Sequence, residues 1–128
     1  MALDKSYQDI PGTIVFDAEM SRKGYHLNQF CMSLLKAENR KRFLANQQAY
    51  VDEWPMTELQ KKGVLERDLN LCIEQGGNIY FLSKLFYTHE QPFEQAVATM
   101  VDMTPKEYRE MMLNGGRSIE GNRSKGES

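Results

Sequence analysis

The sequence has few cysteines and no long apolar run, and both features narrow what the protein can be. Its 128 residues contain two cysteines, Cys31 and Cys72, and both fall on apolar helical stripes. This placement favours buried thiols in a reducing compartment over a disulfide. No apolar stretch approaches the roughly 20 residues that cross a bilayer, and the first residues lack the basic and then apolar pattern of a secretory signal. We therefore expect a cytoplasmic protein without a membrane partner.

An excess of charge of one sign is also absent. The chain carries 16 basic and 18 acidic residues, mixed along its length, for a formal net charge of -2. A protein that depends on phosphate backbones is usually much more basic, so we expect no nucleic-acid partner. A helix-turn-helix regulator is disfavoured for a second reason, because the helix that would enter the groove, Ile79 to Tyr87, is almost entirely apolar.

The sequence does contain a succession of short helical patterns. Thr57 with Gln60, and Thr104 with Glu107, each have the form of a capping box at the start of a helix. Gly76 is placed to end a helix, and the following Asn is placed to cap the next one. The apolar residues of the first long pattern recur at spacings of three and four: Leu27, Phe30, Cys31, Leu34 and Leu35. These signals predict an all-α fold, a compact bundle of six or seven short helices.

The two ends of the chain differ from this pattern. Residues 7–16 combine a Pro-Gly turn signal with β-branched residues, which predicts an extended N-terminal segment. Residues 117–128 are rich in serine, glycine and charge, which predicts a flexible tail or an arm that a partner orders. Residues 1–116 are then expected to form a single helical domain.

The second half of the chain has more apolar surface than a small domain needs. Between Ile79 and Tyr87 only Ser83 and Lys84 are polar, so this stretch is either the central helix of the core or a helix that another protein covers. A strand is the competing local interpretation. Four methionines follow, which are either core filler or an adaptable binding surface: Met100, Met103, Met111 and Met112.

The sequence also lacks the residue patterns of an independent enzyme. It has no nucleophile motif, dinucleotide fingerprint or phosphate loop. His26 and His89 are far apart, and His26 has no second ligand at helical spacing beside it. We expect no catalytic residue and no metal ligand in this chain, and we expect both histidines to lie at the surface or at an interface.

Three stretches carry a family resemblance: "DIPGTIVFDAEMSRKGYHLNQFCMSLLKAENRKRF", "GGNIYFLSKLF" and "MTPKEYREMMLNGGRSIEGNRS". Together with the intervening "AYVDEW" they cover most of the chain. In this order they resemble the α subunit of protocatechuate 4,5-dioxygenase, an extradiol ring-cleaving dioxygenase.

That resemblance implies a division of labour between two chains. In the family, a larger β subunit holds Fe(II) through two histidines and a carboxylate, with positions left open for the substrate hydroxyls and dioxygen. The ring of protocatechuate is cut between carbons 4 and 5 to give 4-carboxy-2-hydroxymuconate semialdehyde. The present chain would then be the non-catalytic subunit of an α2β2 oxidoreductase of aromatic catabolism, inactive on its own. Gallate or a related catechol remains open as the substrate.

The resemblance also implies a role for the apolar surface, because a helical subunit that covers the iron site would exclude water from it. Three residues are candidates for such a lid: Phe93, Phe86 and Tyr87. Three more are candidates for contact with the partner: Tyr80, Phe81 and Arg117. Phe93 has an alternative role, which is to anchor its own helix through Ala96 and Val97. A free-standing helical adaptor without an enzymatic partner is the competing function.

Overall fold

The computed structural model describes residues 5–10 and 13–117, and this part of the chain is all-helical, as the sequence predicts. The described elements are a 3₁₀ helix at Ser6–Asp9 and nine α-helices: α1 Ala18–Lys23, α2 Tyr25–Ser33, α3 Ala37–Ala45, α4 Gln47–Val51, α5 Glu58–Leu65, α6 Leu69–Glu74, α7 Ile79–Thr88, α8 Phe93–Met100 and α9 Pro105–Leu113. None of these helices combines the length and the apolar character needed to cross a membrane.

The described part has more helices than the six or seven predicted, partly because one predicted helix is two. The stretch from Thr57 to Gly76 breaks at Arg67, which has a left-handed φ of 54°. Asp68 then caps α6 by accepting a hydrogen bond from the backbone N–H of Leu71 at 3.1 Å. In the sequence the apolar spacing continues across the break, from Leu65 to Leu69 and Cys72, so the pattern hides it. Another difference lies near the N-terminus, where the 3₁₀ helix Ser6–Asp9 overlaps the start of residues 7–16, which are predicted to be extended.

Both predicted capping boxes are present. The hydroxyl of Thr57 accepts from the backbone N–H of Gln60 at 3.1 Å, and the Gln60 side chain accepts from the Thr57 N–H at 3.0 Å. Thr104 and Glu107 form the same pair of bonds at the start of α9, both at 3.1 Å. Caps of this kind typically contribute about 1 kcal/mol each.

The apolar stretch from Ile79 to Tyr87 is helical, so its interpretation as a strand is wrong. The side chain of Asn78 caps α7 by accepting from the backbone N–H of Tyr80 at 2.9 Å. Leu82, Leu85 and Phe86 are buried on the inner face of this helix. The side chain of Tyr80, in contrast, is 79% exposed. The helix is therefore both a core element and an exposed apolar surface.

Two apolar clusters form the core. The larger one surrounds Phe30, whose ring meets those of Phe43 and Trp54 edge-on, with centroids 5.5 and 6.2 Å apart. The smaller cluster contains Leu69, Phe86 and Ala96, with two partly buried residues, Ile79 and Met100, packed against it. The smaller cluster joins α6, α7 and α8.

A close backbone contact joins α1 and α2 to the turn before α7. A Cβ atom added to Gly24 would lie 1.9 Å from the carbonyl oxygen of Gly76, so neither position has room for a side chain. Asn28 spans this junction by donating to that same carbonyl at 3.0 Å and accepting from the backbone N–H of Asn78 at 2.9 Å. The predicted helix stop at Gly76, followed by an Asn cap, is confirmed.

Both cysteines are buried free thiols. Burial raises the pKa of Cys72 to about 12 and raises the pKa of Cys31 as well. Because the thiolate is the reactive form, both side chains are protonated and chemically inert near neutral pH.

Candidate functional site

Three aromatic residues meet where α7 ends and α8 begins, and we refer to Phe86, Tyr87 and Phe93 as the aromatic cluster. The ring of Phe86 lies with its centroid 4.9 Å from that of Tyr87 and 6.4 Å from that of Phe93. Phe86 is 2% exposed, whereas Tyr87 and Phe93 are 54% and 50% exposed. The structure thus brings together the three residues predicted to form a lid. Of these three residues, Tyr87 and Phe93 are exposed on this chain and Phe86 is buried.

The loop between the two helices is short and holds Phe93 against Phe86. Glu90 takes a left-handed φ of 57°, which turns the chain back at the end of α7. The backbone N–H of Gln91 then donates to the carbonyl of Phe86 at 2.9 Å. Pro92 precedes the first residue of α8 and fixes the direction in which that helix starts. The backbone of the loop from Glu90 to Pro92 therefore fixes the position of Phe93 beside Phe86.

The predicted partner-contact residues lie in different environments. Tyr80 points outward, and it lies seven residues before Tyr87, so both project from the same face of α7. Phe81 is partly buried and packs against the larger core cluster. Arg117 is exposed at the end of the described part. Tyr80 can therefore extend the surface of the aromatic cluster along α7, whereas most of Phe81 faces inward.

His89 follows α7 and is less exposed than the sequence suggests. Its ring lies edge-on to Phe43 with centroids 5.6 Å apart, and its Nε2 atom is buried without a hydrogen-bond partner among the described residues. Burial, and to a lesser degree the Arg67 cation, lower the pKa of His89 below its ordinary value. The neutral ring is therefore the form that this site favours.

The described residues do not provide an iron site. Within residues 5–10 and 13–117 no three His, Cys, Asp or Glu side chains come close enough together to hold a metal ion. An Fe(II) site of the extradiol type needs two histidines and a carboxylate around one point. The described part of this chain does not fit that ion, and what it offers instead is an apolar surface.

Comparison with known proteins identifies the family. The sequence model of the family described as the LigA subunit of the aromatic-ring-opening dioxygenase LigAB matches residues 27–113, which is more than half of the chain. This chain belongs to the LigA family. The LigA match contains all three residues of the aromatic cluster and the whole of α2 to α9 apart from the first two residues of α2.

A relative with a named activity is also found. This LigA chain is 31% identical, over 78 residues, to a gallate dioxygenase of Pseudomonas putida, strain KT2440. The matched part is 61% of this chain but 23% of the relative. The LigA chain thus spans about a quarter of the length of that dioxygenase.

Two features of the LigA fold are missed by the sequence interpretation. Asn28 lies off the apolar stripe of α2, yet it is 5% exposed because its amide pairs with the backbone beside Gly76. Leu113, at the end of α9, is 80% exposed. Its position after a run of charged and apolar residues gives no sign of this, because exposure there depends on how α9 packs.

Proposed function

We propose that this chain is the small, non-catalytic subunit of an Fe(II)-dependent extradiol dioxygenase and that it covers the active site of a larger, iron-binding subunit. The observation that carries this proposal is the match of residues 27–113 to a family described as one subunit of an aromatic-ring-opening dioxygenase. The lack of a metal-ligand group among the described residues supports the assignment of Fe(II) to the other chain.

The lengths of the matched proteins support the same arrangement. The gallate dioxygenase relative carries its matched region within a chain more than four times as long as that region. Sequence of that length has room for a separate catalytic domain. We propose that in the present protein the corresponding catalytic part is a separate chain, the β subunit, which associates with this chain in an α2β2 assembly.

The aromatic cluster is our candidate for the covering surface. Tyr87 and Phe93 are about half exposed, and the buried ring of Phe86 supports both from behind. Apolar rings over the mouth of a polar site exclude water, which strengthens electrostatic contacts inside the site and limits side reactions. The chain would thus act through shape and desolvation, with no group of its own taking part in bond cleavage.

We propose protocatechuate as the substrate, cut between carbons 4 and 5 to 4-carboxy-2-hydroxymuconate semialdehyde. Gallate is the second candidate, because the relative is named as a gallate dioxygenase. Oxygen uptake by the assembled complex with Fe(II), measured on both compounds, separates the two. A higher kcat/KM for protocatechuate supports the first substrate, and the reverse order replaces it with gallate.

We also propose that the complex works in the cytoplasm. Both cysteines are buried free thiols, as is common for proteins of a reducing compartment. Fractionation of the cells that make the protein tests this: activity in the soluble cytoplasmic fraction is expected, and activity confined to an extracytoplasmic fraction would refute it.

Replacement of Phe93 tests the covering role. In the assembled enzyme, Phe93→Ala is expected to raise KM several-fold or to alter the preference between protocatechuate and gallate, because it removes an apolar group beside the bound ring. Tyr25→Ala is a matched control, since Tyr25 is 55% exposed and lies outside the family match. Assembly and iron content should stay unchanged in both variants. Kinetics of Phe93→Ala equal to those of the control would assign Phe93 to packing of α8 alone.

A further inference from the structure

His89 attaches the end of α7 to the larger core cluster. Its ring lies edge-on to that of Phe43 on α3, with centroids 5.6 Å apart, and Phe43 itself is fully buried. His89 is also the C-cap residue of α7, and its backbone N–H donates to the carbonyl of Leu85 at 3.3 Å. The contact between the two rings therefore helps to hold the end of α7 against α3.

The position of the two ring nitrogens favours the neutral form of His89. The Nε2 atom is buried and has no hydrogen-bond partner among the described residues. In a neutral imidazole one nitrogen carries the proton and the other a lone pair, so the less costly form keeps the proton on Nδ1. Protonation of the ring then has to place an N–H on Nε2, where the described residues provide no acceptor. A buried donor without an acceptor destabilises the conformation that contains it.

The charges around His89 also oppose protonation of its ring. Among the described residues, the charge that acts on the ring is the cation of Arg67, in the turn between α5 and α6. The carboxylates that flank Arg67 and His89 in the sequence do not offset it: Glu66, Asp68 and Glu90. The charged residues closest to Phe43 on α3 and to His89 on α7 are all cations: Arg40, Lys41, Arg42 and Lys84.

The turn that follows His89 is strained. Glu90 has a φ of 57°, a left-handed value that costs free energy for a residue with a side chain and persists only where neighbouring contacts maintain it. Two backbone hydrogen bonds accompany this turn, from the N–H of Glu90 to the carbonyl of Tyr87 and from the N–H of Gln91 to the carbonyl of Phe86, both at 2.9 Å. Loss of the His89 contact would remove a restraint on the turn and allow Glu90 to relax.

We infer that His89 is a pH-sensitive latch on the loop that carries Phe93. The neutral ring packs on Phe43 and keeps the turn at Glu90 closed, whereas the protonated ring leaves this contact for solvent and lets the turn open. Phe93 then moves away from Phe86, while the larger core cluster stays folded. The transition falls below pH 6.5, because burial and Arg67 lower the pKa of His89 from that ordinary value. The latch lies within this chain and does not depend on the proposed function.

Native-state hydrogen exchange of the full-length chain tests the latch, with the backbone amide of Gln91 as the reporter. Exchange is measured at pH 7.5 and pH 5.0, corrected for the intrinsic effect of pH, at urea concentrations too low to unfold the chain. Opening at Gln91 should increase about fivefold or more at pH 5.0, up to a limit of roughly 30-fold that a free-ring pKa of 6.5 sets. The opening should not depend on urea, because a local transition exposes little surface.

Replacement of each histidine assigns the effect to one ring. His89→Phe keeps an aromatic ring for the contact with Phe43 but cannot take up a proton, so it should abolish the effect of pH on opening at Gln91. His26→Phe is the matched control, because His26 is the other histidine of the chain and is exposed beside Tyr25. It should leave the increase unchanged. Thermal unfolding confirms that the variants fold, and His89→Gln, which should also abolish the effect, replaces His89→Phe if that variant does not.

Three results would overturn the latch. The first is wild-type opening at Gln91 that is the same at pH 7.5 and pH 5.0. The second is an increase that survives replacement of His89 or disappears on replacement of His26. The third is exchange at Gln91 that depends on urea as strongly as exchange at Phe30, since the loop would then open only when the whole chain unfolds.

Discussion

At the scale of single residues, the strictest requirement is for glycine at position 76. Gly76 has a φ of +93°, and a Cβ added there would lie 2.4 Å from the backbone nitrogen of Gly24. Gly115 has a similar φ of +102° but nothing within 4 Å of such a Cβ. The two positions share the backbone requirement and differ in the space around them.

The comparison of Gly76→Ala with Gly115→Ala isolates the effect of that space. Gly115→Ala is expected to lower the free energy of unfolding by about 1–2 kcal/mol, which is the cost of a left-handed conformation for alanine. Gly76→Ala should cost about 1–3 kcal/mol more, since the backbone of Gly24 has to move. Urea denaturation of both variants measures the difference. Equal losses in free energy would show that the backbone contact between Gly24 and Gly76 is loose.

His89 makes stability depend on pH in a direction that its surroundings determine. Its folded-state pKa lies below the ordinary value of 6.5, first because of burial and second because of Arg67. The unfolded chain therefore takes up a proton at a higher pH than the folded one. The contribution of His89 to stability is fully present above pH 6.5 and is lost as pH falls through its folded-state pKa.

Replacement of His89 tests this dependence. Between pH 7.5 and pH 5.5 the free energy of unfolding of the isolated chain should decrease, and His89→Gln should make the decrease smaller. Arg67→Gln should also reduce it, though by less, because the cation is the smaller cause of the shift. Chemical denaturation at several pH values provides the measurement. A slope that neither substitution changes would place the origin of the pH dependence elsewhere.

At the scale of elements, the two capping boxes have the same motif but different consequences. Glu107 of α9 is exposed, and among the described residues its side chain is hydrogen-bonded only to Thr104, whose backbone N–H donates to it. Gln60 of α5 is 2% exposed, and its Nε2 also donates to the carbonyls of Lys23 and Gln75, both at 3.0 Å. The same motif thus starts one helix and, in the other case, also ties α5 to the ends of α1 and α6.

Truncation of the two caps should therefore have unequal effects. Glu107→Ala is expected to lower the free energy of unfolding by about 1 kcal/mol, the usual size of a lost cap. Gln60→Ala should lower it by about 3 kcal/mol or more, because two partly buried carbonyls lose their donor and a cavity opens where the Gln60 side chain was buried. Thermal or urea unfolding compares them directly. Similar losses for the two variants would mean that water replaces the Gln60 side chain.

The local signals in the sequence predict the elements better than their packing. Caps at Thr57 and Thr104 and the stop at Gly76 are read from neighbouring residues, because the bonds that they make are local. The break at Arg67 carries no such sign, because an arginine in the sequence does not indicate a left-handed backbone conformation. Leu35 belongs to the apolar pattern of α2 but is 53% exposed, because that helix ends at Ser33.

At the scale of the whole molecule, the sequence indicates excess apolar surface but does not show where it lies. The stretch from Ile79 to Tyr87 contributes Leu82 and Phe86 to the core, while Tyr80 and Tyr87 point outward. That another protein covers its outer face stays a prediction. The contact of Phe86 with Phe93 depends on the turn at Glu90. The contact of α9 with α8 includes the ion pair of Arg109 with Glu94, two residues that no local sequence pattern connects. Such contacts between elements are set by three-dimensional packing, which periodicity does not record.

We propose that this chain supports ring cleavage only together with a larger, iron-binding subunit. The most direct measurement is oxygen uptake on protocatechuate and on gallate, with added Fe(II), for this chain alone, for the larger subunit alone and for the two combined. We expect no uptake by this chain alone and substantial uptake by the combination, with the two chains eluting as one complex. Ring cleavage by the isolated chain, or two chains that neither associate nor affect each other's activity, would contradict it.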